Sequence, residues 1–120
     1  MLKFTDDHEW IRIEGDMATI GITDHAQSEL GDIVYVELPD IGAQLGAGDD
    51  MATVESIKAA SSVYAPLAGE VIETNAELES EHGLVNSDAM GAAWFVKLKL
   101  ADASAADSLL DEDGYKALIS

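Results

Sequence analysis

The chain has 120 residues, of which 24 are acidic and only 6 basic, for a formal net charge of −18 at pH 7. Such a charge repels phosphate backbones and anionic membranes, so nucleic acid and membrane surfaces are excluded as expected partners. Hydrophobic residues make up 48% and cysteine is absent, which leaves material for a core but none for disulfides, thiolate metal sites or cysteine catalysis.

From the N-terminus, MLKFTDDHEW has no apolar stretch of the secretory kind and is too acidic for a transit peptide. No later run reaches the roughly 18 apolar residues of a membrane span. The expected location is the cytoplasm, or the mitochondrial matrix if a leader has been removed. Trp10 and Arg12 alternate with Ile11 and Ile13, and Thr19 to Thr23 is β-branched around Gly21. With Glu14-Gly15-Asp16 as the turn, residues 9–23 read as a hairpin. Asp24 and Gln27 have capping-box spacing and Gly31 suits a helix stop, which predicts a short helix over 24–30.

Ile33 to Leu38 is the strongest strand pattern, and Pro39 ends it. Residues 40–50, with three glycines and three aspartates, are expected to be turns. Met51 to Glu55 predicts a strand, with a break at 56–61 and a continuation at 62–64. Pro66 and Gly69 bracket a turn, and Gly69 to Thr74 predicts a further strand. The acidic stretch 75–93 reads as loop. Ala93 to Leu100 returns to strand, with Trp94, Val96, Leu98 and Leu100 on one face and Lys97 and Lys99 on the other. Ser104 and Asp107 open a C-terminal helical segment, about 104–119, that Asp111 to Gly114 divides into two. The expectation is one domain over 1–120, mainly β with short helices, as a barrel or sandwich with its β core at about 9–100.

Lys58 stands apart because it is the one cation between residues 13 and 96. It falls between two strand-like runs, so hairpin geometry puts it at or near an exposed tip. An exposed amine among carboxylates keeps its proton, which argues against a self-activated nucleophile. An accessible amine in a defined turn suits modification by an enzyme that brings its own activated acyl donor and base.

Glu55-Ser56-Ile57-Lys58-Ala59 resembles the lipoylation motif of the glycine cleavage system H-protein family. Further blocks resemble that family in order along the chain. They include His8-Glu9-Trp10, Gly21 to Gln27, Leu30 to Val34, Val36-Glu37-Leu38-Pro39, Pro66 to Val71, Asn86-Ser87-Asp88, Trp94, and Leu109-Leu110 to Tyr115. The resemblance implies a barrel-sandwich hybrid like that of lipoyl and biotinyl domains, with C-terminal helices. It implies lipoate in amide linkage on Lys58, with Glu55 read by the lipoate ligase or lipoyl transferase. Glu9 matches a carboxylate of the cleft that shelters the loaded arm. The implied role is a monomeric shuttle substrate, not an enzyme. Its implied partners are a glycine decarboxylase, an aminomethyltransferase and dihydrolipoamide dehydrogenase. Three positions depart from the family pattern: Ser62 stands where an Asp is usual, Glu29 where a His is frequent, and 89–93 lack a Pro-Tyr pair.

Other readings are weaker. An H-like protein relaying lipoate to other enzymes, or an unmodified acidic interaction module, fits the same composition. A biotin carrier favours methionines where Ile57 and Ala59 stand. His8, His25 and His82 have no i, i+4 spacing for a metal. Asp49-Asp50 and Asp111-Glu112-Asp113 lack the ligand spacing of a calcium loop. No Ser, His and Asp set sits in a hydrolase motif.

Overall fold

The computed structural model describes residues 2–119, whose nine strands form two antiparallel sheets. The strands are β1 (Leu2–Phe4), β2 (Glu9–Glu14), β3 (Met17–Ile22), β4 (Ile33–Glu37), β5 (Gln44–Leu45), β6 (Asp50–Ser56), β7 (Ala60–Tyr64), β8 (Gly69–Thr74) and β9 (Val96–Leu100). The larger sheet runs β1-β2-β3-β9-β8-β5 and the smaller β4-β6-β7. Four short α-helices accompany them: α1 (Asp24–Leu30), α2 (Glu77–Ser80), α3 (Leu84–Ser87) and α4 (Glu112–Ile119). A 3-10 helix covers Ala103–Ser108. None of the described helices is long and apolar enough to cross a membrane.

The period-2 pattern decides which face of each strand is buried. Ile11, Ile13, Ile20 and Ile22 point inward from β2 and β3, and Val96 and Leu98 from β9. Val36, Val54 and Val63 of the smaller sheet meet them to close one core. The predicted hairpin over 9–23 forms with Glu14 opposite Met17, and Gly15 takes φ 64 in the tight turn. The predicted helix over 24–30 forms as α1. Its cap is Thr23, one residue earlier than the Asp24 expected, with the Thr23 hydroxyl accepting from the Ala26 amide at 3.2 Å.

A second, smaller cluster lies on the other face of the large sheet. Trp10 and Phe4 pack there with Tyr115 of α4, and Leu2, Met90, Trp94 and Leu110 close around them. Trp94 therefore does not share a face with Val96, Leu98 and Leu100 as the alternation predicts. Strand β9 begins only at Val96, and Trp94 precedes it with freedom to turn the other way.

Other departures are local. Residues 75–93 are not all loop: α2 and α3 each bury one apolar residue, Leu78 and Val85. Four-residue helices are too short to set up an apolar period. The turn region 40–50 contains β5, and β1 lies where no strand is expected. Both strands are too short for an alternation to register. The break at 56–61 is narrower, because β6 runs to Ser56 and β7 starts at Ala60. The C-terminal segment does divide in two. Asp102, not Ser104, caps the first part, and the Asp111 carboxylate accepts from the Gly114 amide in the second.

Candidate functional site

The β6–β7 hairpin ends in the four-residue turn Ser56-Ile57-Lys58-Ala59, with Lys58 exposed. The turn is tied from within by Ser56. Its amide donates to the Ala59 carbonyl at 2.9 Å, and its hydroxyl oxygen accepts from the amides of Lys58 and Ala59 at 3.1 and 3.2 Å. Serine suits this task because a short hydroxyl side chain can replace a backbone acceptor in a tight turn. The turn is also held from outside, where the Ile57 amide donates to the Asp32 carbonyl at 3.0 Å.

The Lys58 ammonium lies 3.4 Å from the Glu29 carbonyl, at the C-terminal end of α1. The last carbonyls of a helix lack intrahelical donors and favour a cation. Two apolar neighbours stand unusually free. Ile57 is 68% exposed, and Val34 is 50% exposed at a register shift in β4 that turns it outward.

Beside the turn opens a cleft of about 170 Å3. Glu29, Leu30, Ser61 and Ser62 line it together with His8 and Glu9. Glu9 is only 2% exposed. Its carboxylate accepts from the Tyr64 amide at 2.7 Å and from the Thr5 hydroxyl at 3.1 Å. Burial pushes its pKa up to about 7, against those two hydrogen bonds, and the neighbouring charges of Asp7 and Asp6 push the same way. Glu9 also borders a larger groove, about 530 Å3, between the β1–β2 loop and the segment 108–110.

His8 precedes Glu9 with φ 66, a left-handed conformation uncommon for a residue with a side chain. Its ring is held by the Tyr115 hydroxyl at 2.9 Å, and that hydroxyl lies 2.6 Å from the Thr23 hydroxyl. The His8 and His25 rings come within 4.7 Å between centroids, a proximity their sequence separation hides. Among the described residues no three His, Cys, Asp or Glu side chains converge as metal ligands.

Of the three site residues expected from the sequence, Glu9 lines the cleft, and Lys58 reaches it through Glu29, which lines the cleft and whose carbonyl the Lys58 ammonium approaches. Glu55 does not line it. Its side chain is exposed on β6, which pairs Glu55 with Tyr35 and Ala60. Ser56 and Asn86 belong to the resemblance, but sequence reasoning does not give their structural roles, Ser56 within the turn and Asn86 on the chain that holds it. The place of a serine at the start of a turn is a usable signal for the first. For Asn86, whose partners Gln27, Gly31 and Ile33 lie 53 to 59 residues earlier in the chain, local sequence carries no such signal.

The Glu9 environment predicts a pH dependence of stability. Its folded pKa of about 7 lies above the ordinary 4.5, so the folded chain holds this proton more tightly than the unfolded chain. The resulting stabilisation is full below pH 4.5 and is lost as pH rises through 7, by roughly 3 kcal/mol. Glu9→Gln is always neutral. Relative to wild type it should gain stability at pH 8 and gain little at pH 4 in paired urea titrations. An equal difference at both pH values would refute the assignment.

A family profile described as "Glycine cleavage H-protein" matches residues 2–120. The chain is 60% identical over 114 residues to the glycine cleavage system H protein of Bradyrhizobium diazoefficiens, covering 95% of this chain and 93% of that protein. It is 55% identical over 118 residues to that of Parvibaculum lavamentivorans, covering 98% and 94%. The fold superposes with a TM-score of 0.88 on the crystal structure of a glycine cleavage system H protein from Mycobacterium marinum. That match has 33% identity and covers 97% of this chain and 94% of the other. The chain thus belongs to the glycine cleavage H-protein family, the lipoyl carriers of the glycine cleavage system, and is a carrier and not a catalyst.

Proposed function

We propose that Lys58 is the lipoyl attachment point of this carrier. The observation that supports this most directly is an exposed amine at the apex of a turn braced on two sides, with a cleft beginning beside it. A modifying enzyme supplies the activated acyl group. The deprotonated amine forms the new C–N bond, the acyl leaving group departs with its electron pair, and the amine's surplus proton passes to that enzyme's base. The ammonium charge disappears in the process, so the modified tip is neutral in an acidic field.

The residues around Lys58 fit such an arm. When bound, lipoate supplies disulfide–dithiol redox and group-transfer chemistry. The protein supplies position and shelter. Ser56 and Asp32 fix where the arm starts. Leu30 and Val63 give the cleft an apolar wall, and Glu9 adds a buried carboxyl to it. An amine cargo reaching Glu9 meets an acceptor that an ammonium would ionise fully, since an opposite charge lowers a carboxyl pKa. Ser62, where the family pattern has Asp, adds no charge to this cleft, while Glu29 also lines it.

Glu55, exposed three residues before Lys58, is placed to be read by the lipoate ligase or lipoyl transferase. The working partners are glycine decarboxylase, aminomethyltransferase and dihydrolipoamide dehydrogenase, which a monomer visits in turn. The net charge of −18 favours fast, salt-sensitive docking on basic rims. Intact mass after expression with lipoate should reveal one lipoyl addition, and peptide mapping should place it on Lys58. A lipoyl group on another lysine, or none, would overturn the assignment.

A further inference from the structure

The geometry points to Asn86 of α3 as the positioning residue of the Lys58 turn. This rests on the reading of Lys58 as the modified lysine. Asn86 Nδ2 donates to the Gly31 carbonyl at 2.9 Å and to Gln27 Oε1 at 3.0 Å, and its Oδ1 accepts from the Ile33 amide at 2.9 Å. One side-chain amide therefore grips the backbone on both sides of Asp32. The Asp32 carbonyl is the group that receives the Ile57 amide, one residue before Lys58.

The amide's orientation is dictated by its partners. Two acceptors face its nitrogen and one donor faces its oxygen, so a flipped amide would lose all three bonds. Gly31 adds a constraint of its own, since it ends α1 with φ 83 and leaves a bend that must be held in place. Its open side lies against Lys58, whose Cε would be 3.5 Å from a Cβ added there. The Asn86 side chain bonds to Gln27, Gly31 and Ile33 rather than to the Lys58 turn itself. It acts through Gly31, Asp32 and Ile33 to set where the amine is presented, and so how well a modifying enzyme engages it.

Two variants separate this role from general stability. Asn86→Asp keeps an acceptor for the Ile33 amide but removes both donors, and Asn86→Ala removes all three bonds. Hydrogen exchange of the Ile57 amide should speed up by about tenfold in each, the population change set by the net worth of roughly one hydrogen bond. The Val54 and Leu98 amides should keep their protection. With lipoate, ATP and a lipoate ligase, KM for each variant should rise by about five- to tenfold while kcat stays within about twofold. Wild-type KM together with wild-type Ile57 exchange would overturn the proposal. In the wild type itself, the Asn86 side-chain amide protons should exchange slowly, and rapid exchange would overturn it even if both variants fail to fold. Absence of lipoylation in the wild type sinks the Lys58 reading instead, and the exchange results still judge the brace.

Discussion

Replacing Lys58 with arginine leaves a folded protein that takes no lipoyl group and supports no glycine cleavage in a system reconstituted with the three partner enzymes. Arginine keeps the positive charge and a similar reach, so it preserves whatever the cation contributes at the end of α1. What it lacks is an amine that can be deprotonated to attack an acyl group, because the guanidinium stays protonated in proteins. The Lys58 side chain makes one long hydrogen bond, 3.4 Å to the Glu29 carbonyl. Exposed substitutions of that kind shift stability by less than about 0.5 kcal/mol. Thermal unfolding should therefore match the wild type while turnover falls to background. Retained turnover would remove Lys58 from the mechanism and favour an acidic module that works unmodified.

Gly21→Ala should be strongly destabilising, because a single added methyl group has no room in the large sheet there. A Cβ at position 21 would lie 2.7 Å from Cε2 and Nε1 of Trp10 and 2.8 Å from Cζ2. Trp10 sits opposite Gly21 in the β2–β3 register and is fully buried. It cannot swing away, since its Nε1 donates to the Ala89 carbonyl at 2.9 Å and its ring packs with Phe4 and Tyr115. Interiors packed at crystal density respond to such overlap by straining backbone or rotamers. The expected cost is about 3 kcal/mol, or a fall in Tm of about 10 °C for a chain of this size. Near-ultraviolet circular dichroism of the tryptophans would follow the change. A Tm within a degree or two of wild type would mean that the indole has room to move.

The long alternating segments were legible because burial on one face imposes a period of two. Ile11, Ile13, Ile20 and Ile22 carry that imprint, and so do Val96, Leu98 and Leu100. The α1 boundaries were legible to within a residue because Gly31 and the polar residues before Ala26 have local jobs at helix ends. Elements of two to four residues left no imprint, which is why β1, β5, α2 and α3 emerge only in three dimensions. The same division runs through the site. Lys58 was visible as an isolated cation in a turn, and the resemblance singled out Glu9 and Glu55. The pinning of Asp32 by Asn86, the approach of His8 to His25 and the hold of Tyr115 on His8 join residues remote in sequence, so no local pattern encodes them.

The bond from the Ile57 amide to the Asp32 carbonyl carries a practical consequence. One of the bonds that shape the lysine loop comes from a different stretch of the polypeptide, so the pentapeptide Glu55 to Ala59 is not a portable label. Grafted into an unrelated scaffold or synthesised alone, it would sample many shapes and present its amine in the right one only a fraction of the time. A tag built on this chemistry would have to transplant the helix-ending bend at Gly31 along with the hairpin.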